Sequence, residues 1–329
     1  MLNSLKLTLL VLGAASARGE LLYYEGFNYP VAEDGLKYQG GFAANPDPAS
    51  GVDADIAPGS LRYMDASGNV LPASGNHALV DAHEERATVS NIAPVFRPPA
   101  PQPAGNVIWI SLLGQQVAGS TVRFFNFSLR APDDTLQPPD GDTNMDEIVA
   151  IGMPSGAAAQ RWHVWDRSTG GNLWTPAITQ TPSTTLSLAL ARVELNAVNG
   201  DLERYTLWMN PPLGKAPDEA EGIAMVSQQS DFAAWSDLEQ IRLAAGQNPA
   251  ASTGWTVDEI RIADSWQEAL PWQSLTATVE TAPQPAGALQ VRWISAPGFT
   301  DEVEWSTDLE HWFSYPNSVR TNGPGNAPA

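Results

Sequence analysis

The run Arg161-Trp162-His163-Val164-Trp165-Asp166-Arg167 groups the side chains of this chain best suited to holding a small polar ligand. Read as a strand, it sets Arg161, His163, Trp165 and Arg167 on one face and Trp162 and Val164 on the other, because successive side chains of a strand point to opposite sides. An aromatic ring among charged hydrogen-bonding groups suits a sugar, whose apolar C–H face stacks on the ring while its hydroxyls meet the polar groups. Trp174 follows in the adjoining loop and offers a second platform. The competing reading buries Trp165 as a cap on the core, with its N–H turned outward and the arginines solvated.

Two other groupings carry carboxylates. In the run Trp255 to Ile262, alternation puts Val257, Glu259 and Arg261 on one face and Asp258, Ile260 and Ile262 on the other. Asp258 then shares an inward face with two isoleucines and needs a partner, since an unpaired buried charge is very costly. By the same alternation Glu25 shares a face with Tyr23 and Phe27. The segment Asp140-Gly141-Asp142-Thr143-Asn144-Met145-Asp146-Glu147 begins like a calcium loop, with oxygen side chains at alternate positions. The likeness then fails, because Met145 stands where the sharp turn needs Gly and Ile151 where a bidentate Glu belongs. The default reading there is a solvated acidic loop.

The elements that must position these groups are strands. Helical periodicity is nearly absent, while short alternating or apolar runs recur between Pro, Gly, Asn and Asp clusters, the pattern of a sandwich or barrel. Strands are expected over 21–27, 60–64, 87–92, 107–117, 122–130, 147–153, 161–166, 184–196, 203–209, 223–227, 238–244 and 255–262. That set exceeds an immunoglobulin-type domain and suits a jelly roll. A brief helical pattern over 265–270 closes at Pro271, and a new set of strands opens after it, over 275–280, 289–294 and 301–305. The domain boundary is placed at about 272, and the tail, ending on Gly, Pro, Asn and Ala without a closing strand, reads as truncated.

The N-terminus has one positive charge at Lys6, an apolar run over 7–12 and a small-residue A-x-A site at Ala15-Ser16-Ala17, the order of a secretory signal cleaved after Ala17. That run is too short for a bilayer, which needs about 20 residues. The expected organisation is therefore 1–17 signal peptide, 18–271 sandwich and 272–329 a smaller β module, with the product secreted or held at the cell surface and no membrane span. Lys and Arg total 17 against 37 Asp and Glu, a formal charge of −20, and a chain that acidic repels phosphate backbones and anionic membranes. The lack of any cysteine excludes disulfides and thiolate chemistry, and four scattered histidines argue against catalytic zinc. Neither a G-x-S-x-G elbow nor an H-E-x-x-H pair occurs.

Four pieces together resemble the concanavalin A-like lectin/glucanase superfamily in its laminin-G-like form, as found in secreted bacterial proteins. They are Leu22-Tyr23-Tyr24-Glu25-Gly26-Phe27-Asn28-Tyr29-Pro30, Val107-Ile108-Trp109-Ile110-Ser111, Leu207-Trp208-Met209-Asn210-Pro211 and Trp255-Thr256-Val257-Asp258-Glu259-Ile260-Arg261-Ile262, spanning 21–266. The tail segment Val303-Glu304-Trp305-Ser306-Thr307-Asp308-Leu309-Glu310-His311-Trp312 is similar to a fibronectin type III-like module. The resemblance implies an all-β, two-sheet antiparallel jelly roll with one concave sheet used for sugars. It also implies one structural calcium between the closing strand and the N-terminus, which makes Glu25 and Asp258 metal candidates. The alternative for Asp258 is hydrogen bonding to backbone or an Arg partner.

Glucanases of that superfamily carry E-x-D-x-x-E on one strand, and this chain lacks it. The nearest acidic strand, from Asp146-Glu147, has adjacent acids on opposite faces. The expectation is thus a non-catalytic glycan binder using Arg161, His163, Trp165 and Trp174. A structural or adhesive envelope protein is the alternative, and a glycan-degrading enzyme comes third.

Overall fold

A computed structural model describes residues 19–32, 35–36, 39–40, 42–44, 54–80, 88–93, 105–120, 124–130, 147–153, 161–166, 173–174, 183–198, 202–226, 240–246, 254–274, 277–281, 289–293, 300–301, 304–305, 313–314 and 320–321. The leader 1–17, the acidic loop up to Asp146, Arg167 and the end of the tail from 322 lie outside the described residues.

In chain order the strands are β1 (Leu21–Glu25), β2 (Ala43–Ala44), β3 (Ala54–Ala57), β4 (Asn69–Val70), β5 (His77–Val80), β6 (Thr88–Ala93), β7 (Val107–Gln116) and β8 (Phe124–Arg130). They continue with β9 (Glu147–Met153), β10 (His163–Asp166), β11 (Leu173–Trp174), β12 (Ser187–Val198), β13 (Leu202–Met209), β14 (Ile223–Val226), β15 (Gln240–Gly246) and β16 (Trp255–Ala263). A helical turn, α1 (Trp266–Ala269), is capped by Ser265, whose hydroxyl accepts from the Glu268 N–H. It leads to β17 (Gln273–Ser274), which pairs with β4. In the tail, β18 (Ala277–Thr281) and β19 (Leu289–Trp293) form an antiparallel pair.

The chain is a two-sheet antiparallel β-sandwich, as expected. An eight-stranded sheet runs β14-β13-β12-β7-β16-β5-β3, with β1 also on β16, and a seven-stranded sheet runs β11-β10-β9-β8-β15-β6-β2. Between them lies the main core, built from alternate residues of both sheets: Ile108, Ile110 and Leu112 of β7, Phe125, Phe127 and Leu129 of β8, Val149, Ile151 and Met153 of β9 and Ile241, Leu243 and Ala245 of β15. Gly114 of β7 belongs to the same packing, because a Cβ there would come within 2.7 Å of the Trp162 indole. The ring fills the space a side chain would take.

A second apolar cluster covers the other face of the eight-stranded sheet. Trp109, Leu113, Leu188, Leu190, Trp208 and Ala263 meet Tyr63, Leu71 and Leu213 from loops and Ala269 and Leu270 from the α1 region. This second layer explains why 60–64 is not a strand. That segment crosses over the sheet and enters a single bridge, Met64 to Val70, at its end. It is pinned by Asp65, which accepts from the backbone N–H groups of Ser67 and Asn69 at 2.9 Å and of Leu213 at 2.8 Å. Burial works against the charge of Asp65, but these bonds outweigh it and hold its carboxyl below the usual range.

Candidate functional site

The two carboxylates expected to share an ion lie on opposite faces of one sheet. The cause is a bulge in β16. Its partner β7 places Asp258 opposite Leu113 and Arg261 opposite Ser111, so Glu259 and Ile260 together face one residue, and Glu259 takes the left-handed conformation at φ 52°. The extra residue resets the alternation. Trp255, Val257, Ile260 and Ile262 all enter the main core, while Asp258 and Arg261 are turned to the outer layer. The expected grouping of Asp258 with Ile260 and Ile262 is therefore wrong, by one residue of register.

Each carboxylate has its own cradle. Asp258 is fully out of solvent and accepts from the Ser60 hydroxyl at 2.5 Å, the Leu61 N–H at 2.8 Å and the Glu259 N–H at 2.8 Å. Glu25 pairs in register with inward Ile260 and accepts from the Phe27 N–H and the Tyr29 hydroxyl, both at 2.7 Å. Phe27 itself turns at φ 48°, which ends β1 at Glu25 rather than at 27. Glu259 lies on the outer side, accepting from Tyr24 and Ser74 at 3.0 Å and from Arg261 at 2.8 Å, with the Arg261 guanidinium 4.3 Å over the Tyr24 ring.

This arrangement does not fit calcium. The ion needs six to eight oxygens converging on one point, whereas here N–H and O–H donors occupy the carboxylate oxygens and a sheet separates the two acids. Among the described residues no group of three or more His, Asp or Glu is placed to hold a metal. The alternative considered for Asp258, hydrogen bonding to backbone, is the one the structure realises.

The sugar-face candidates fare differently. Trp162 and Val164 are buried in the main core, so His163 between them stands on the outer face of the seven-stranded sheet, as the alternation requires. Register sets Trp165 opposite Trp174 of β11 on one side and Ala150 of β9 on the other. The pairing continues across the sheet through Ser128, Arg242, Ile92 and Ala43. A neighbouring row runs from His163 through Gly152, Asn126 and Ala244 to Ser90. Gly152 is required where it is: a Cβ would sit 2.2 Å from the Phe125 carbonyl oxygen.

Asn126 and Ser128 are fully buried and Arg242 is 4% exposed, so the centre is out of solvent; His163 on β10 is also only 5% exposed, so the expectation that it meets a sugar directly is not met. Arg161, two residues before His163, is half-buried at the rim. Trp174 and Trp165 occupy the terminal strand and its neighbour. The register partner of Trp165 lay within reach of the sequence, since both tryptophans were singled out, but Arg242, Asn126 and Ser128 were not. Their signal is the alternation Asn126-Phe127-Ser128-Leu129, polar residues between apolar ones.

No family model matches the chain and no curated protein matches it. Among solved structures it is similar to the globular domain of T. cruzi calreticulin, with TM-score 0.46 and 13% identity over 76% of this chain and 90% of that one. It is also similar to lectin UEA-II complexed with galactose, with TM-score 0.36 and 10% identity over 74% and 98%. A third is the exoplasmic/lumenal domain of VIP36 in a Ca2+/Man3GlcNAc-bound form, with TM-score 0.36 and 10% identity over 65% and 83%. At these scores the ligands named for those proteins are not transferred to this chain.

Proposed function

We propose that this chain is a secreted, non-catalytic glycan-binding protein of the concanavalin A-like kind, followed by a fibronectin type III-like tail, and that it binds at the β10–β11 edge of the seven-stranded sheet. The observation that carries the reading is the register pairing of Trp165 with Trp174, with half-buried Arg161 four residues before Trp165 in the chain. Directly opposed residues on antiparallel strands have Cβ atoms about 4.5–5.5 Å apart. A pair of tryptophans in register is the residue pairing that sugar recognition favours, an aromatic anchor with a few polar neighbours.

The non-catalytic part rests on the same rows. Glycoside hydrolysis needs two carboxyl groups on either side of the scissile bond, and neither row contains an Asp or Glu. Pull-down on a panel of insoluble and immobilised polysaccharides tests the reading. Wild type is expected to bind at least one, and Trp165→Ala to weaken that binding about tenfold or more, since an aromatic anchor is worth about 2 kcal/mol. Binding that survives Trp165→Ala unchanged would remove the assigned site, and no binding to any glycan would remove the function.

A structural or adhesive role is the second reading, favoured by the closed centre of the face, where Asn126, Ser128 and Arg242 are buried. It predicts the failure of every glycan in the panel with a stable fold retained.

A further inference from the structure

Among the tryptophans whose side chains are described, Trp109, Trp162, Trp208 and Trp255 are buried and Trp266 packs on the outer apolar cluster, whereas Trp272 is 46% exposed. Its ring is also held in one place. A Cβ added at Gly214 would come 2.7 Å from the indole Cε2, 2.9 Å from Cδ2 and 3.0 Å from Cζ2. Cε2 has ring neighbours on every side within the plane, so a contact nearest to it comes from above, and the indole lies face-down on the glycine. Gly214 permits this approach at φ 74°. The seat is pinned from beneath: the Leu213 N–H donates to Asp65 at 2.8 Å, and the Leu213 carbonyl accepts from the Asn69 side chain at 3.3 Å. Beyond the tryptophan, Gln273 pairs with Val70. With one face on backbone, the opposite face and the rim of the ring supply the exposure.

The size of this patch limits what it can hold. Nearly half of an indole is on the order of 100 Å², whereas a stable protein interface takes about 800 Å² from each partner. One sugar ring matches the smaller area. The indole N–H makes no hydrogen bond to a described residue, and Lys215, next to Gly214 in the chain, is exposed, so polar groups are available for hydroxyls at the rim. We propose that Trp272 is a second glycan contact, a fixed platform for one pyranose ring of a neutral β-glucan, in the layer that covers the eight-stranded sheet. A pyranose with equatorial hydroxyls presents flat C–H faces with its polar groups around the edge, the complement of a bare ring with polar neighbours. A fixed ring loses little freedom when the sugar settles on it. The inference shares only the class of ligand with the β10–β11 reading. Two contacts on different sheets of the sandwich do not share one short oligosaccharide, but they can join two strands of a polysaccharide.

Affinity electrophoresis of the whole protein in gels containing hydroxyethyl cellulose or levan tests the site; both polymers are neutral, and the five-membered rings of levan lack a flat C–H face. The net charge of −20 supplies the mobility the method needs. Wild type is expected to be retarded by hydroxyethyl cellulose and not by levan. Trp272→Ala is expected to bind the glucan about fivefold more weakly or worse, and Trp272→Tyr, which keeps a flat ring, to stay within about twofold of wild type. The same fall on adding Trp272→Ala to Trp165→Ala separates the two contacts. Absence of retardation by the glucan, equal retardation by levan, or unchanged binding in Trp272→Ala overturns this inference and leaves the β10–β11 site to be judged on Trp165→Ala. Equal losses in Trp272→Tyr and Trp272→Ala, or a melting temperature several degrees lower in Trp272→Ala, would make the ring a packing element and also overturn it.

Discussion

Between pH 4 and pH 8 the protein should lose stability as the pH rises, by an amount on the order of 5 kcal/mol relative to Asp258→Asn, in urea unfolding followed at closely spaced pH values. Burial raises the Asp258 carboxyl to about 8 against 3.8 in an unfolded chain; the Ser60 bond pulls it down, and the Glu259 charge beside it pushes it up again. The sign follows from where the proton sits. Below about pH 4 both states are protonated and the group contributes nothing. Above it the unfolded chain ionises first, so folding must take a proton up, and stability falls until the native carboxyl ionises near pH 8. The curve is flat beyond that point.

The local geometry accepts both forms. Ionised, Asp258 takes three hydrogen bonds. Protonated, it can donate to the Ser60 oxygen, whose own hydrogen turns to the Leu61 carbonyl at 3.4 Å. Glu25, also raised chiefly by burial, adds a slope of the same sign, and Asp65, held low, adds one of the opposite sign at acid pH. Both cancel in the comparison with Asp258→Asn. Parallel curves for the two proteins would show that the buried carboxyl titrates normally.

Trp255→Ala should cost about 4 kcal/mol, the range for removing a large aromatic side chain from a packed core. Trp255 is fully buried, stacks on Phe125 with ring centres 4.9 Å apart, and meets Trp162 edge-on at 5.7 Å. Phe125 belongs to β8 and Trp162 leads into β10, so the three rings join the closing strand of one sheet to the inner side of the other. The Trp255 indole N–H is buried without a hydrogen-bond partner among the described residues. Trp255→Phe is therefore expected to lose well under half as much, since it keeps the stack and removes an unsatisfied donor. A loss below about 1 kcal/mol for Trp255→Ala would mean that the site collapses without a cavity.

The long strands were legible because apolar residues alternate with polar ones along most of their length: β7, β9, β13 and β16 end within a residue of the expected bounds. Short strands were not. β3 is Ala-Asp-Ile-Ala and β5 is His-Ala-Leu-Val, four residues each, and their pairing is decided by the neighbours they meet rather than by their own pattern. The bulge in β16 was readable in retrospect. In Trp255-Thr256-Val257-Asp258-Glu259-Ile260-Arg261-Ile262 the spacing between core residues is two, then three, then two, and the three marks the inserted residue. Taking the strand as regular moved Asp258 to the wrong face and made it a partner for Glu25.

The outer layer over the eight-stranded sheet was the larger omission. Its loops are tied by backbone N–H groups to Asp65 and Asp258, and no periodicity announces a contact between Leu61 and a residue 197 positions away. On the candidate face the sequence marked the residues of one strand, because His163 and its neighbours alternate. It did not mark Arg242, Asn126 and Ser128, which join that strand only through sheet order.

A crystal structure of the protein soaked with the oligosaccharide that binds best in the polysaccharide panel tests the central claim most directly. The account predicts ordered sugar stacked over Trp165 and Trp174, within hydrogen-bond reach of Arg161. Sugar bound instead on the eight-stranded sheet or at its covering loops, with the β10–β11 edge bare, would contradict it.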